Sequence, residues 1–163
     1  MQIKIYDSKV AKLYIATQNK AIVAISFSAL DEDYLNKLIE RPFVNLSGKR
    51  NTNIEIWLDT FFKGKDPDFF VNIELHGTTF QKSVWLACAK IPYGETRYYS
   101  DIANMIGNPK AVRAVGTALS QNPIPLIIPC HRVFRSNGDM GGFAGGLNLK
   151  HSLLNLERKN LEE

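Results

Sequence analysis

The chain has 163 residues, 45% apolar and 22% charged, a composition that excludes a disordered, collagenous or coiled-coil protein and suits one domain or two small lobes sharing an interface. No run approaches the ~20 consecutive apolar residues of a membrane span, and Met1 to Lys12 lacks the apolar centre of a signal peptide, so a cytosolic location is expected, or a nuclear one in a eukaryote. The net charge of +4 is unevenly placed: residues 1–74 carry ten basic and ten acidic groups, residues 75–163 ten basic and six acidic, two of the latter being Glu162 and Glu163. A cationic second half suits a polyanion such as nucleic acid, and equally a merely solvated surface.

Three short β-branched or aromatic runs open the chain, Ile3 to Tyr6, Leu13 to Thr17 and Ala21 to Phe27, with Gln18-Asn19-Lys20 placed as a hairpin turn. Asp31 to Glu40 has helical rhythm through Tyr34, Leu35 and Leu38 and ends at Arg41-Pro42; Thr52 to Phe62 repeats it through Ile54, Trp57, Leu58 and Phe61, closed by Gly64. This first lobe, residues 1–75, is expected to be a small α/β unit with an antiparallel sheet, ending near Val71 to Leu75, and it carries no motif of its own. His76-Gly77 is the expected hinge. Thr78 and Gln81 then stand at capping-box spacing, and Phe80, Val84, Ala87 and Cys88 share one helical face before Ile91-Pro92-Tyr93-Gly94 stops the helix. Cys88 is therefore expected to be a small buried hydrophobe.

From Tyr99 the pattern is helix, tight turn, helix. Ile102, Met105 and Ile106 make an apolar stripe, Gly107 is placed as a C-terminal cap, and Asn108-Pro109 as the N-cap and first residue of the next helix. There Val112, Val115 and Leu119 are expected to face inward and Lys110, Arg113 and Thr117 outward, giving a basic outer face. Ala114, Gly116 and Ala118 make this helix slim at a cost of ~1 kcal/mol for the glycine. Slimness serves either a tight internal contact or the close approach of an external backbone.

Asn122-Pro123-Ile124-Pro125 reads as a rigid connector feeding a buried strand, Leu126-Ile127-Ile128, that stops at Pro129 and delivers Cys130 and His131. Thiol chemistry requires thiolate, and an imidazole can accept the proton. Neighbouring side chains on a strand point apart, so a bridging water is expected between them. After Arg132-Val133-Phe134, Ser136-Asn137-Gly138-Asp139 signals a hairpin turn. Gly141-Gly142-Phe143-Ala144-Gly145-Gly146 matches neither phosphate-loop nor dinucleotide fingerprints and is either a flexible loop or backbone packed around a flat ligand. In the last helix Leu149, Leu153 and Leu156 form the buried stripe, with Glu157 at its border, where a carboxylate could orient a histidine or pair with a surface cation. The two cysteines are too few for a disulfide framework, and with His76, His131 and His151 they show no zinc spacing, so free thiols and no metal are expected.

Ile128-Pro129-Cys130-His131-Arg132-Val133, preceded by Asn122-Pro123-Ile124-Pro125 and by Lys110-Ala111-Val112-Arg113-Ala114-Val115-Gly116, closely resembles the O6-alkylguanine-DNA alkyltransferase family. Ile91-Pro92-Tyr93-Gly94-Glu95-Thr96 and Gly145-Gly146 match as well, so the resemblance spans about residues 75–158. It implies an α/β chain whose second domain, residues 76–163, is mostly helical, contains a helix-turn-helix and holds both the DNA-binding surface and the alkyl acceptor. The implied activity is irreversible, single-turnover transfer of an alkyl group from flipped O6-alkylguanine, with O4-alkylthymine left open, to Cys130.

By position, the resemblance makes His131 the water-linked base, Glu157 the acid that orients it, and Asn122 the brace of the turn before the cysteine. Arg113 corresponds to the finger filling the gap left by the flipped nucleotide, and Tyr99 to the tyrosine that presses on the phosphate and protonates the guanine ring. Lys110, Ala114, Gly116, Thr117 and Arg132 fall on the expected DNA face. Val133, Phe143, Ala144 and Gly145 fall on the base pocket. The second helix would enter the minor groove of double-stranded DNA, where a width of ~6 Å penalises bulk. No cofactor, no membrane contact and a monomer are implied. Phe143-Ala144 replaces the tyrosine and serine of some relatives, which removes a hydroxyl from the O6 site, and the zinc ligands of some relatives have no counterpart. Three alternatives remain distinguishable: a lesion sensor, which would lack the acceptor cysteine; a cysteine hydrolase, which would turn over without DNA; and a sequence-specific regulator, which would read the major groove.

Overall fold

The computed structural model of the chain describes residues 1–48 and 53–161. Three strands, β1 (Gln2–Asp7), β2 (Lys12–Gln18) and β3 (Ala21–Ser26), form an antiparallel meander. Asn19 and Lys20 adopt φ of 54° and 63°, the paired left-handed geometry that lets a two-residue turn match strand twist. Helix α1 (Glu32–Ile39) is capped by the Asp31 side chain. It is followed by β4 (Phe43–Leu46), four residues long and half exposed, too short for its alternation to show in the sequence. Helix α2 (Ile54–Phe62) begins after its N-cap Asn53; Thr52, the expected start, lies outside the described residues, as do Glu162 and Glu163. Strand β5 (Ile73–His76) pairs antiparallel with β4 and parallel with β3, giving the order β1-β2-β3-β5-β4.

This sheet is covered on both faces. Val23 and Ala24 of β3 and Ala16 of β2 pack on Leu35 and Leu38 of α1, while Leu13, Ile15, Ile22 and Ile25 join Trp57, Leu58 and Phe61 of α2 on the other side. That second cluster does not end at residue 75. It continues through Val84, Trp85 and Cys88, then Ile91, Ile102, Val115, Ile124 and Leu153, so one apolar core spans both halves of the chain.

The expected hinge is a packed joint. His76 is 1% exposed and held by Glu74 and the carbonyl of Arg41, each at 3.0 Å, and Gly77 donates to Pro42 O at 3.0 Å. A Cβ on Gly77 would lie 2.5 Å from the Trp85 ring, so glycine here serves close approach and not free rotation. Helix α3 (Thr79–Cys88) starts with the expected capping box of Thr78 and Gln81. Helices α4 (Tyr99–Met105) and α5 (Val112–Ser120) follow, with Gly107 at φ +75° between them. Helix α5 starts at Val112, later than expected, because Asn108 to Ala111 close a separate turn through an Ala111 N–H to Asn108 O bond of 3.0 Å. The Trp85 indole donates to Ala118 O at 2.7 Å and ties α3 to α5. Helix α6 (Leu147–Leu161) closes the fold.

Val133 and Phe134 form β7, which pairs in parallel with β6 (Arg97–Tyr98). The Arg135–Asp139 turn that follows therefore leads to no partner strand, and the expected hairpin is absent. Among the described residues no helix is long and apolar enough to cross a membrane, and no group of three or more His, Cys, Asp or Glu is placed to hold a metal.

Candidate functional site

The segment before Cys130 is a knot of turns and not the expected strand. Pro123, Pro125 and Pro129 offer no N–H, which removes the donors a ladder needs. Leu126 takes φ +74°, an uncommon conformation for a bulky residue that persists only where its surroundings impose it. Asn122 imposes it from inside: its Nδ2 donates to Ile128 O at 2.9 Å and its Oδ1 accepts from Ile124 N–H at 3.0 Å. The outside is fixed by β3, whose Ile25 N–H donates to Pro123 O at 2.8 Å. Cys130 is thus delivered at the start of a 3-10 turn, Cys130–Arg132, where successive side chains fan out about a helical axis.

Behind the cysteine lies a buried charge cluster. Glu157, 1% exposed, accepts from His131 Nε2 at 2.8 Å, from Arg132 Nε at 3.0 Å and Nη2 at 2.8 Å, and from the Gly94 N–H at 3.1 Å. Burial pushes the Glu157 carboxyl up, but the hydrogen bonds from His131 and Arg132 outweigh it and hold the group below its ordinary value. A carboxylate facing Nε2 fixes the proton there. The other imidazole nitrogen, Nδ1, is buried with no hydrogen-bond partner among the described residues. Burial holds the His131 pKa down despite Glu157, so the ring is a neutral imidazole with one free, basic nitrogen. The Phe61 ring, from the first lobe, packs nearly perpendicular to it, with centroids 6.1 Å apart.

Cys130 is partly buried and opens onto a groove of about 980 Å³. Burial raises its thiol pKa, and the Asn122 side chain and the Lys150 ammonium draw it back in part. Lys150 was not anticipated. It is 0% exposed, donates to Val133 O at 2.7 Å and to Met140 O, and sits 5.0 Å from the Phe134 ring. Desolvation brings its pKa down to about 8. The signal was a lysine set inside the Leu149, Leu153 stripe, where a solvated residue would not be expected.

The groove brings together Tyr99, Arg113, Gly116, Thr117, Asn122, Cys130, Phe143 and Ala144 of the expected set. Tyr99 is half-buried, and burial raises its phenol pKa, so it remains a proton donor; a Cβ at Gly141 would run into its hydroxyl. A Cβ built on Gly116 meets nothing within 4 Å, so the glycine serves no internal contact and opens outward beside exposed Ala114 and Arg113, whereas Ala118 is buried. Asn137, read from sequence only as part of a turn, and Arg135, for which the sequence carries no signal, complete the rim.

Five expected placements change. Arg132, expected on the DNA face, is 7% exposed and its guanidinium is taken up by Glu157 and by Ile91 O at 2.8 Å, because it follows His131 around the 3-10 turn into the core. Val133 is fully buried and its carbonyl accepts from Lys150, and Gly145 lines the neighbouring groove beneath Phe27 and Leu149. Val112, expected inward, is 37% exposed, and the buried stripe of α5 is Val115, Ala118 and Leu119. Lys110 is exposed but stands on the turn before α5.

Residues 79–159 match the family model described as "6-O-methylguanine DNA methyltransferase, DNA binding domain". A methylated-DNA–protein-cysteine methyltransferase from Methanosarcina barkeri is 54% identical over 104 residues, a match that spans 64% of the chain and 66% of that relative, just under two thirds of its length. A probable methylated-DNA–protein-cysteine methyltransferase from Acanthamoeba polyphaga mimivirus is 43% identical over 165 residues, 99% of the chain and 100% of that protein. The crystal structure of Mycobacterium tuberculosis OGT in complex with DNA superimposes with a TM-score of 0.78 at 33% identity, covering 96% of this chain and 92% of that one. The likeness runs over both lobes and not the second alone, and on that ground the chain belongs to the methylated-DNA–protein-cysteine methyltransferase family.

Proposed function

We propose that the chain repairs double-stranded DNA by taking the alkyl group of O6-alkylguanine irreversibly onto the sulfur of Cys130. The observation that carries this is a single partly buried cysteine on the floor of a groove, followed by a histidine whose Nε2 is bound to Glu157 and whose Nδ1 has no partner among the described residues. His131 Nδ1 accepts the thiol proton through a water, and the thiolate attacks the alkyl carbon in line. The carbon–O6 bond breaks, its electron pair returns to the purine, and Tyr99 supplies the proton that lets neutral guanine leave. The product is a thioether. No group in the site can return the sulfur to thiolate, so each molecule acts once.

A guanine O6 inside the stack is out of reach, so the nucleotide must be turned out at a cost of a few kcal/mol. Arg113, exposed on the rim of the groove, fills the vacated space, and Lys110 and Arg135 hold phosphates. The open flank at Gly116 and Ala114 supports entry of α5 into a minor groove ~6 Å wide. The protein acts as a monomer and without a cofactor. The DNA complex of the Mycobacterium tuberculosis relative agrees with a DNA partner.

The test is incubation with a duplex containing O6-methylguanine, followed by peptide mass mapping. One added methylene on the peptide bearing Cys130, none on that bearing Cys88, and a yield that stops at one equivalent are expected. Multiple turnover of an ester or amide without DNA would instead identify a cysteine hydrolase.

A further inference from the structure

Two grooves meet beside Cys130. The first holds the cysteine. The second, about 720 Å³, is lined by Phe27 and Tyr34 of the first lobe and by Trp85 and Gly145 of the second, and it shares Ser120, Asn122, Pro125 and Ala144 with the first. The two are therefore continuous around a common rim. Phe143 lines the cysteine groove and Phe27 the other, and the two rings are in contact, with centroids 5.5 Å apart and planes at 55°. A Cβ on Gly145 would approach Phe27 to 3.0 Å and Phe143 to 3.1 Å, so the backbone beneath the pair is already in close contact. The Phe143 ring also meets the His131 ring edge-on, with centroids 6.4 Å apart. It thus contacts both the base and a residue that belongs to a different lobe.

We infer that Phe27 is a specificity-determining positioning residue: by holding Phe143 in place as a partition, the first lobe limits the size of the O6 substituent that reaches Cys130. This rests on the alkyl-acceptor function proposed above. It gives that lobe, which carries no chemical motif, a part in substrate choice. The physical reason is packing. A ring in contact with two others turns toward the second groove only by displacing one of them, whereas loss of one support opens a path into the adjoining groove at little cost. Methyl groups need no such path and should be indifferent to it, while an aryl group should use it.

The experiment compares the wild-type protein with Phe27→Leu and Phe27→Ala on identical duplexes bearing O6-methylguanine or O6-benzylguanine. The quantity read is the ratio of benzyl to methyl second-order rates, which a general loss of structure would leave unchanged. The ratio should rise roughly tenfold in Phe27→Ala, the size of effect a small change in an apolar pocket produces, and less in Phe27→Leu. If Phe27→Ala fails to fold, Phe27→Leu carries the test. An unaltered ratio in the folded variants overturns the inference. A parallel measurement needs no DNA: labelling of Cys130 by iodoacetamide and by its N-benzyl derivative, in which the thiolate displaces iodide and a thioether forms. There the bulky-to-small ratio should rise in the same order. Absence of transfer from either duplex by wild-type protein, together with a shifted labelling ratio, would reject the repair function and keep the partition. Normal transfer with both ratios unmoved would do the reverse.

Discussion

The cations on the two sides of Cys130 live in opposite circumstances. On the groove side Lys110, Arg113 and Arg135 are exposed and make no ion pair among the described residues. On the far side Arg132 and Lys150 are buried, one against Glu157 and one against two backbone carbonyls. The difference separates tasks that composition merges. Outer charges cost little to maintain and remain available to a phosphate. Inner charges have lost their water and persist only because partners replace it, so they serve geometry: they hold the His131 ring, the Gly94 turn and the segment that follows the cysteine.

The sharpest way to break this contrast is to remove one member of each set. Glu157→Ala leaves the Arg132 guanidinium buried and uncompensated, and should cost about 3–5 kcal/mol in urea unfolding. Arg113→Ala should change stability by less than about 0.5 kcal/mol. Equal losses would mean that the inner cluster is not the structural one. Arg132→Ala should likewise destabilise while leaving the salt dependence of DNA binding as it was, and a reduced slope there would restore it to the DNA face.

Next in size is the effect of the outer set on repair. Arg113→Ala should slow transfer from a duplex on the order of a hundredfold, the equivalent of a few kcal/mol of flipping energy. Transfer from the free base O6-benzylguanine should scarcely change. The variant should also lower the salt slope of binding by about one. Equal slowing with duplex and free base would place Arg113 in the chemistry instead of the flip.

The smallest effect sharpens the inner side by pH. His131 is held below its ordinary 6.5 by burial, so between its folded value and 6.5 the unfolded chain binds a proton that the folded chain refuses. Stability should therefore decline as pH falls through that window. Glu157 lies below its ordinary 4.5, and its own loss should begin only beneath 4.5. A Tm series from pH 7.5 to 4 should fall by on the order of a few degrees in the first window. His131→Asn should remove that early decline. A Tm unchanged down to pH 5 in the wild type would mean that His131 is not held neutral.

Much of this site was legible in the chain. The Thr78–Gln81 capping box, the Asn19-Lys20 turn, Gly107 between two helices and the Pro-Cys-His-Arg run each state a local rule, and local rules survive folding because near neighbours enforce them. The Leu126 to Ile128 strand did not form because three prolines and an internal asparagine outweighed an apolar run, an outcome that depends on where Asn122 points.

By itself the sequence determined the kinds of group present and their order: one cysteine followed by a histidine, a glutamate on the border of the last helix, a basic helix made slim by alanine and glycine. The tertiary structure alone decided which cations are solvated and which are buried, that the Lys150 charge acts on the Cys130 thiol, and that Phe27 and Phe61 of the first lobe touch the machinery of the second. The reason is that burial and long-range contact are properties of how faces meet. Arg113 and Arg132 are the same kind of residue in the same basic half of the chain, and only the element each occupies, helix α5 or the 3-10 turn, decides whether water or a carboxylate completes its shell.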